Sequence, residues 1–219
     1  MYDGKQYLCS MTSRMTPLDV ARMLRLRPET AHKGTMGHAL LVAGSAGVGG
    51  CAVLGAESCL RSGVGKLTVC TPECNRLLLQ LSVPEAVLRL LPHGGDDGAS
   101  WEAEEFARWQ AVGIGPGIGL LAVGLLHDVA ERSAGLPMVV DADALRILAV
   151  HPEWMPMLRG RAVLTPHGGE MQALASGILH ADAPLHTDSM LLAAAGRLAT
   201  EFRVCVVLKG HPTHVCHPD

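Results

Sequence analysis

From residue 38 to residue 208 the chain alternates short apolar runs, bounded by glycine or proline, with longer stretches of helical period. That alternation tolerates few folds. Strands that are apolar throughout need cover on both faces, and a helix after each one carries the chain back to add the next strand in parallel. The runs mark strands at 39–43, 67–70, 111–114, 138–140, 162–164 and 204–208, with helices expected at 50–62, 74–82, 120–134, 142–148, 169–176 and 188–202. The expected fold class is α/β, a mostly parallel central sheet between two layers of helices.

Ahead of this pattern, Thr16-Pro17-Leu18-Asp19 carries the marks of a helix start. A threonine stands at the N-cap, proline at the first helical position and an acid in the first turn, where the helix dipole favours it. This helix is expected to reach about residue 27. Residues 1–14 are polar and aperiodic, a flexible leader or linker remnant. That leaves 15–219 as one domain. The stretch 93–100, with Gly94-Gly95-Asp96-Asp97-Gly98, reads as a solvated loop between two sheet elements rather than a domain linker. No internal repeat or low-complexity tract is present.

A chain of 219 residues with 48% hydrophobic content can bury a sizeable core. Lys and Arg number 18 against 21 Asp and Glu, so the net charge of −3 supplies no basic field for nucleic acid or an anionic membrane surface. Aromatic residues at 3% offer no stacking platform for single strands. No stretch approaches the ~20 apolar residues of a membrane span, and the start lacks a signal-type apolar core. A soluble protein with a small-molecule partner is expected. The seven cysteines are odd in number and fall without paired spacing, Cys51, Cys59, Cys70 and Cys205 within core-like segments. They read as buried thiols in a reducing cytoplasm.

In a parallel sheet, ligands bind beyond the carboxyl ends of the strands, and the residues that follow each run are chemically rich. Gly44-Ser45-Ala46-Gly47-Val48-Gly49-Gly50 follows the first strand and opens a helix, which suits close backbone approach to an anion. It is not a Walker loop, since no Gly-Lys-Ser/Thr follows. The alternative is a turn that merely allows tight helix packing. Gly113-Ile114-Gly115-Pro116-Gly117-Ile118-Gly119 repeats the arrangement after another strand, as a ligand cradle or a plain turn. Asp141 and Asp143 either hold a ligand hydroxyl or a Mg²⁺-bound water, or cap the next helix. Thr165-Pro166-His167-Gly168-Gly169-Glu170 brings an imidazole and a carboxylate to the same rim, although Glu170 equally suits a first helical turn. Lys209-Gly210-His211-Pro212-Thr213 offers a cation, a flexible glycine and a hydroxyl to nucleotide phosphate or ribose, or forms a solvated hairpin turn. His211, His214, Cys216 and His217 are competent zinc ligands, yet their spacing matches no closed tetrahedral pattern, and a turn with a short strand would point them to opposite faces. No metal site is assigned there.

In order and spacing, the motifs resemble the NAD(P)H-hydrate dehydratases of the ribokinase-like superfamily. The resemblance covers nearly all of the chain after residue 14. It is carried by His32-Lys33-Gly34-Thr35-Met36-Gly37-His38, Ala43-Gly44-Ser45, Leu60-Arg61-Ser62-Gly63-Val64-Gly65, Val83-Pro84-Glu85, Gly115-Pro116-Gly117-Ile118-Gly119, Asp141-Ala142-Asp143-Ala144-Leu145, Leu164-Thr165-Pro166-His167 and Leu208-Lys209-Gly210.

The resemblance implies a ribokinase-like three-layer fold and a repair enzyme that returns hydrated NADH or NADPH to its active form while consuming ADP or ATP with Mg²⁺. The ring hydroxyl is phosphorylated, which makes it a good leaving group, and the ring nitrogen's lone pair helps expel phosphate. It further implies hydrate contacts at Ala52, Gly117 and His167, and adenine-nucleotide contacts at Lys209, Gly210, His211, Pro212 and Thr213. Ser45, Gly115, Gly119, Asp141 and Glu170 stand as supporting residues. A homotetramer, and cooperation or linkage with an epimerase for the same hydrate, are implied as well. The family continues into Asn-x-Gly-Met-Ala-Thr-x-Gly-Ser/Thr-Gly-Asp, whose aspartate is the expected base. Asp219 is not that residue, so no catalytic residue is assigned within the chain. It is expected to be a fragment or a truncation, lacking the closing elements and nearly inactive. The alternatives are a small-molecule kinase of the same superfamily, for a sugar or vitamin precursor, and a non-catalytic nucleotide-binding fragment.

Overall fold

A computed structural model describes residues 13–24, 26–91, 101–102 and 104–218. The leader, apart from its last two residues, lies outside the described residues, as does the loop 93–100. The strands are β1 (His38–Val42), β2 (Lys66–Pro72), β3 (Val87–Leu91), β4 (Ala111–Ile114), β5 (Met138–Val140), β6 (Ala162–Leu164), β7 (Cys205–Leu208) and β8 (His214–Cys216). They form one sheet in the order β3-β2-β1-β4-β5-β6-β7-β8. Every pairing is parallel except the terminal hairpin β7–β8. The helices are α1 (Pro17–Met23), α2 (Gly50–Arg61), α3 (Arg76–Ser82), α4 (Val123–Arg132), α5 (Asp143–Val150), α6 (Met155–Leu158), α7 (Gly168–Gly177) and α8 (Asp188–Phe202).

Side-chain alternation along β1 and β2 divides the core into two. Leu40, Val42 and Cys70 point to one face and join Val112, Ile114, Met138, Val140, Leu164 and Val206 against residues of α4, α5, α7 and α8. Ala39, Leu41, Ala43, Leu67 and Val69 point to the other and meet Ala52 and Ala56 of α2 and Leu79 of α3. The small residues of α2 allow that helix to lie close on the sheet, and each apolar face is removed from water by its own helical layer.

Helix α1 starts as expected, with a capping box in which Thr16 and Asp19 satisfy each other's backbone N–H groups. It ends at Met23 rather than near 27. None of its residues is buried, so nothing beyond local bonds holds further turns. Strand β3 was not marked by an apolar run because Arg89 sits in its middle. Arg89 lies 3.2 Å from Glu105 and 3.8 Å over the ring of Trp101, which lets an edge strand carry a cation. The cysteine expectation needs correction. Cys70 is buried, but Cys51, Cys59 and Cys205 are only partly so and Cys74 is exposed. Core-like runs do not distinguish the inner side of a helix from its flank. No helix among the described residues is long and apolar enough to cross a membrane.

Arg161, just before β6, closes the far end of α4. Its guanidinium donates to the carbonyls of Ala130 (2.6 Å), Ser133 (2.9 Å) and Leu136 (3.0 Å), and its Nε to that of Met157 (2.8 Å). A cation at a helix C-terminus satisfies carbonyls the helix leaves open. Arg161→Met is expected to lower unfolding stability by on the order of 3 kcal/mol, seen as a lower urea midpoint at unchanged slope. Burial pushes the Cys70 thiol up to about 12, only partly offset by the nearby Arg89 charge. At about pH 8, a thiol reagent should therefore modify exposed Cys74 rapidly in the folded protein and reach Cys70 only after denaturation.

Candidate active site

The strand order runs outward in both directions from the pair β1 and β4, the switch point beyond which a parallel sheet takes its ligands. The loops that leave these two strands are the two glycine-rich segments. They are bonded to each other: Gly44 N–H donates to the Pro116 carbonyl at 2.8 Å, and Gly115 N–H to the Val42 carbonyl at 3.2 Å. Gly115 has φ +130°, and a side chain there would strike the Asp141 carbonyl at the end of β5. Only glycine permits that approach. Gly117 faces Val48 and Cys51 at the start of α2. Gly119 N–H donates to Asp143 Oδ2 at 3.0 Å.

Ser45 sits on the first loop, and its carbonyl accepts from Asn75 Nδ2 at 3.4 Å. The same amide group donates to Thr71 Oγ1 at 2.9 Å, and both side chains are buried. Thr71 and Asn75 thus brace the loop from the end of β2. The sequence reading missed them, although a threonine and an asparagine flanking the end of a strand on the ligand side were the available signal. Ala52 is wholly buried in α2, close to Gly44. It forms the support of the loop rather than its surface.

At the ends of β5, β6 and β7 lies a charged cluster. Lys209 Nζ donates to Asp141 Oδ1 at 2.6 Å and stands 3.7 Å from Glu170 Oε2. Glu170 is 5% exposed and also accepts the His167 N–H at 2.8 Å. His167 Nδ1 accepts from the backbone of Gly169 and Glu170 at 3.0 and 3.4 Å, which puts its ring proton on Nε2, 3.2 Å from Glu170 Oε1. The pair is a capping box at the start of α7, so both residues do the helix-start work that was the alternative to ligand contact, while remaining on the rim. Lys209 N–H donates to the Pro166 carbonyl at 2.8 Å and ties the two strand ends together. Neither Asp141 nor Asp143 caps α5. One holds Lys209 and the other holds the Gly119 amide.

Gly210, His211, Pro212 and Thr213 form the exposed turn between β7 and β8, with Thr213 Oγ1 donating to the Gly210 carbonyl at 3.0 Å. The turn leaves the sheet at the same end as the glycine loops. Among the described residues, three metal-capable side chains converge only at His127, Asp128 and Glu131 of α4, and not at His211, His214, Cys216 and His217. The structure therefore brings Ser45, Gly115, Gly117, Gly119, Asp141, His167, Glu170 and Lys209 to one end of the sheet, with the two glycine loops at one side and an ammonium at the other. Such an array can hold phosphates beside a polar ring.

Residues 39–219 match the family model described as NAD(P)H-hydrate dehydratase. The ADP-dependent (S)-NAD(P)H-hydrate dehydratase of Neisseria meningitidis is 35% identical over 208 residues, 93% of this chain and 66% of that protein. A bifunctional NAD(P)H-hydrate repair enzyme of Synechocystis is 34% identical over 198 residues, 88% of this chain and 35% of the relative. The crystal structure of the ADP/ATP-dependent NAD(P)H-hydrate dehydratase of Bacillus subtilis, co-crystallised with ATP/Mg²⁺, superposes with a TM-score of 0.69 at 29% identity, covering 93% of this chain and 69% of that one. A ribokinase-like superfamily protein of Enterococcus faecalis superposes with a TM-score of 0.70 at 25% identity, covering 88% and 64%. The chain spans about two thirds of the Neisseria relative and about a third of the Synechocystis one. With the same fold, and with a family model matched from β1 to its last residue, the chain belongs to the NAD(P)H-hydrate dehydratase family.

Proposed function

We propose that this domain binds hydrated NADH or NADPH and an adenine nucleotide, and contributes to the nucleotide-dependent dehydration that restores the reduced cofactor. The observation that carries the reading is the pairing of two mutually bonded glycine loops at the sheet's switch point with the Asp141, Glu170 and Lys209 cluster at the ends of the next three strands, β5, β6 and β7. The relatives' names supply the chemistry. Gly117 and His167 flank the hydrate, with Ala52 setting the floor from below. The turn Lys209, Gly210, His211, Pro212 and Thr213 receives the nucleotide. Lys209 has three N–H donors and spends one on Asp141, so another is free to reach a phosphate oxygen. Gly115 and Gly119 keep the second loop in place, and Ser45 the first.

Asp141 offers a hard oxygen donor that would hold a Mg²⁺ ion through a bound water when the ion arrives with the nucleotide phosphates. Bound there, it would neutralise phosphate charge. Phosphorylation of the ring hydroxyl, followed by loss of phosphate assisted by the ring nitrogen, accounts for the use of a kinase-type fold in a dehydration. A homotetramer in the reducing cytoplasm, working alongside an epimerase for the same hydrate, completes the proposal.

The test is recovery of absorbance at 340 nm from hydrated NADH with Mg²⁺ and ADP or ATP, run on this chain and on a form extended to the length of the Neisseria relative. The extended form is expected to restore the absorbance. Accumulation of a phosphorylated alcohol without that recovery would overturn the reading in favour of a small-molecule kinase. Lys209→Met is expected to weaken ADP binding roughly ten- to a hundredfold in calorimetry, the worth of a charge-assisted phosphate contact.

A further inference from the structure

The motif at residues 32–38 carried much of the family resemblance, yet it lies nowhere near the rim. His38 is the first residue of β1, Lys66 the first of β2, and Gln110 immediately precedes β4. These are the amino-terminal ends of three neighbouring strands, the end of the sheet opposite the glycine loops. There Lys33, Gly34, Gly37, His38, Lys66, Arg108 and Gln110 line a cavity of about 380 Å³.

Among the described residues, the lining contains three formal cations and a histidine and no carboxylate. Among the described residues, Lys33, Lys66 and Arg108 form no ion pair. In a chain with more acids than bases overall, three cations gathered around one space make a locally positive patch that favours an anion. The backbone holds them there. Gly65 lies so close to the Lys33 carbonyl that a side chain at Gly65 would collide with it. Gly65 N–H donates to the Met36 carbonyl and Lys66 N–H to the Gly37 carbonyl, at 3.1 and 3.0 Å. Gln110 braces the other side: Oε1 accepts the His38 N–H at 2.8 Å and Nε2 donates to the Arg108 carbonyl at 3.2 Å. His38 Nε2 is 2.8 Å from Thr68 Oγ1. Burial, and then the charges of Lys66 and Arg108, hold the His38 imidazole below its ordinary range.

We propose that this cavity is a second anion site, remote from the nucleotide rim, and that it takes a diphosphate group held by Lys33, Lys66 and Arg108 beside His38. Size and charge select the ligand. The groove, about 380 Å³ and open to solvent on one side, has room for more than one phosphate group. A lone terminal phosphoryl group carries about 1.5–2 negative charges near neutral pH, short of the three cations, whereas two linked groups match them. The diphosphate is either free or the diphosphate arm of a nucleotide.

The experiment follows the His38 Cε1–H resonance, assigned by its loss in His38→Gln, while pyrophosphate, orthophosphate, ADP or chloride is added to the whole chain. Pyrophosphate is expected to move it saturably, with a midpoint at least about tenfold below that of orthophosphate. Lys66→Gln combined with Arg108→Gln should raise the midpoint about tenfold or more, and Lys33→Gln alone should raise it measurably. All three positions are exposed, so these variants retain the fold. Lys209→Met should leave the response intact. If ADP also moves His38 in the Lys209→Met protein, the nucleotide's diphosphate is the source; if pyrophosphate alone does, the ligand is free diphosphate. An unmoved His38, equal responses to pyrophosphate, orthophosphate and chloride, or indifference to the glutamine variants would each overturn the proposal.

Discussion

The rim of this molecule depends on one close approach, the passage of Gly115 against the Asp141 carbonyl. Because no side chain intervenes, the end of β4 can turn flat over the end of β5. That turn puts the Pro116 carbonyl where Gly44 can donate to it and the Gly119 amide where Asp143 can accept it. A methyl group at Gly115 would push the loop outward and break both connections, since a packed interior has no slack to absorb it.

Much of this architecture could be read in advance. The expected strands at 111–114, 138–140 and 162–164 are β4, β5 and β6, and the expected helix at 188–202 is α8. These elements are apolar where they meet the core and end at glycine, proline or a capping residue, so local chemistry and burial agree. Where they disagreed the reading fell short. Arg89 hid β3 because its partners, Glu105 and Trp101, are brought to it only by the fold. Asp143, read as either a ligand contact or a helix cap, accepts an amide from a loop 24 residues earlier in the chain. Asn75 shows the same limit, since its value lies in reaching Thr71 and Ser45 together.

The charge map has a similar lesson. The rim mixes signs: one ammonium is shared between two carboxylates, which keeps Lys209 in place. Among the described residues, the groove at the opposite end is lined by one sign only, from residues 33, 66 and 108. A net charge of −3 describes neither. Segregation of this kind is invisible to composition because it depends on which strand ends are neighbours, and β1, β2 and β4 become neighbours only through the switch in strand order.

The hydrogen bond from Gly44 to Pro116 has a consequence for timing. Fixing a flexible loop residue costs about 1–2 kcal/mol of conformational entropy. Since the two glycine loops are already fastened to each other, that ordering occurs as the sheet assembles and not when a ligand enters. The pair of loops is thus a preformed mould that surrenders little freedom on binding. The exposed turn at residues 210–213 is anchored only by its two strand ends and the Thr213 hydroxyl. On the proposed reading, adjustment to an incoming nucleotide falls to that turn, the adaptable partner of two rigid loops.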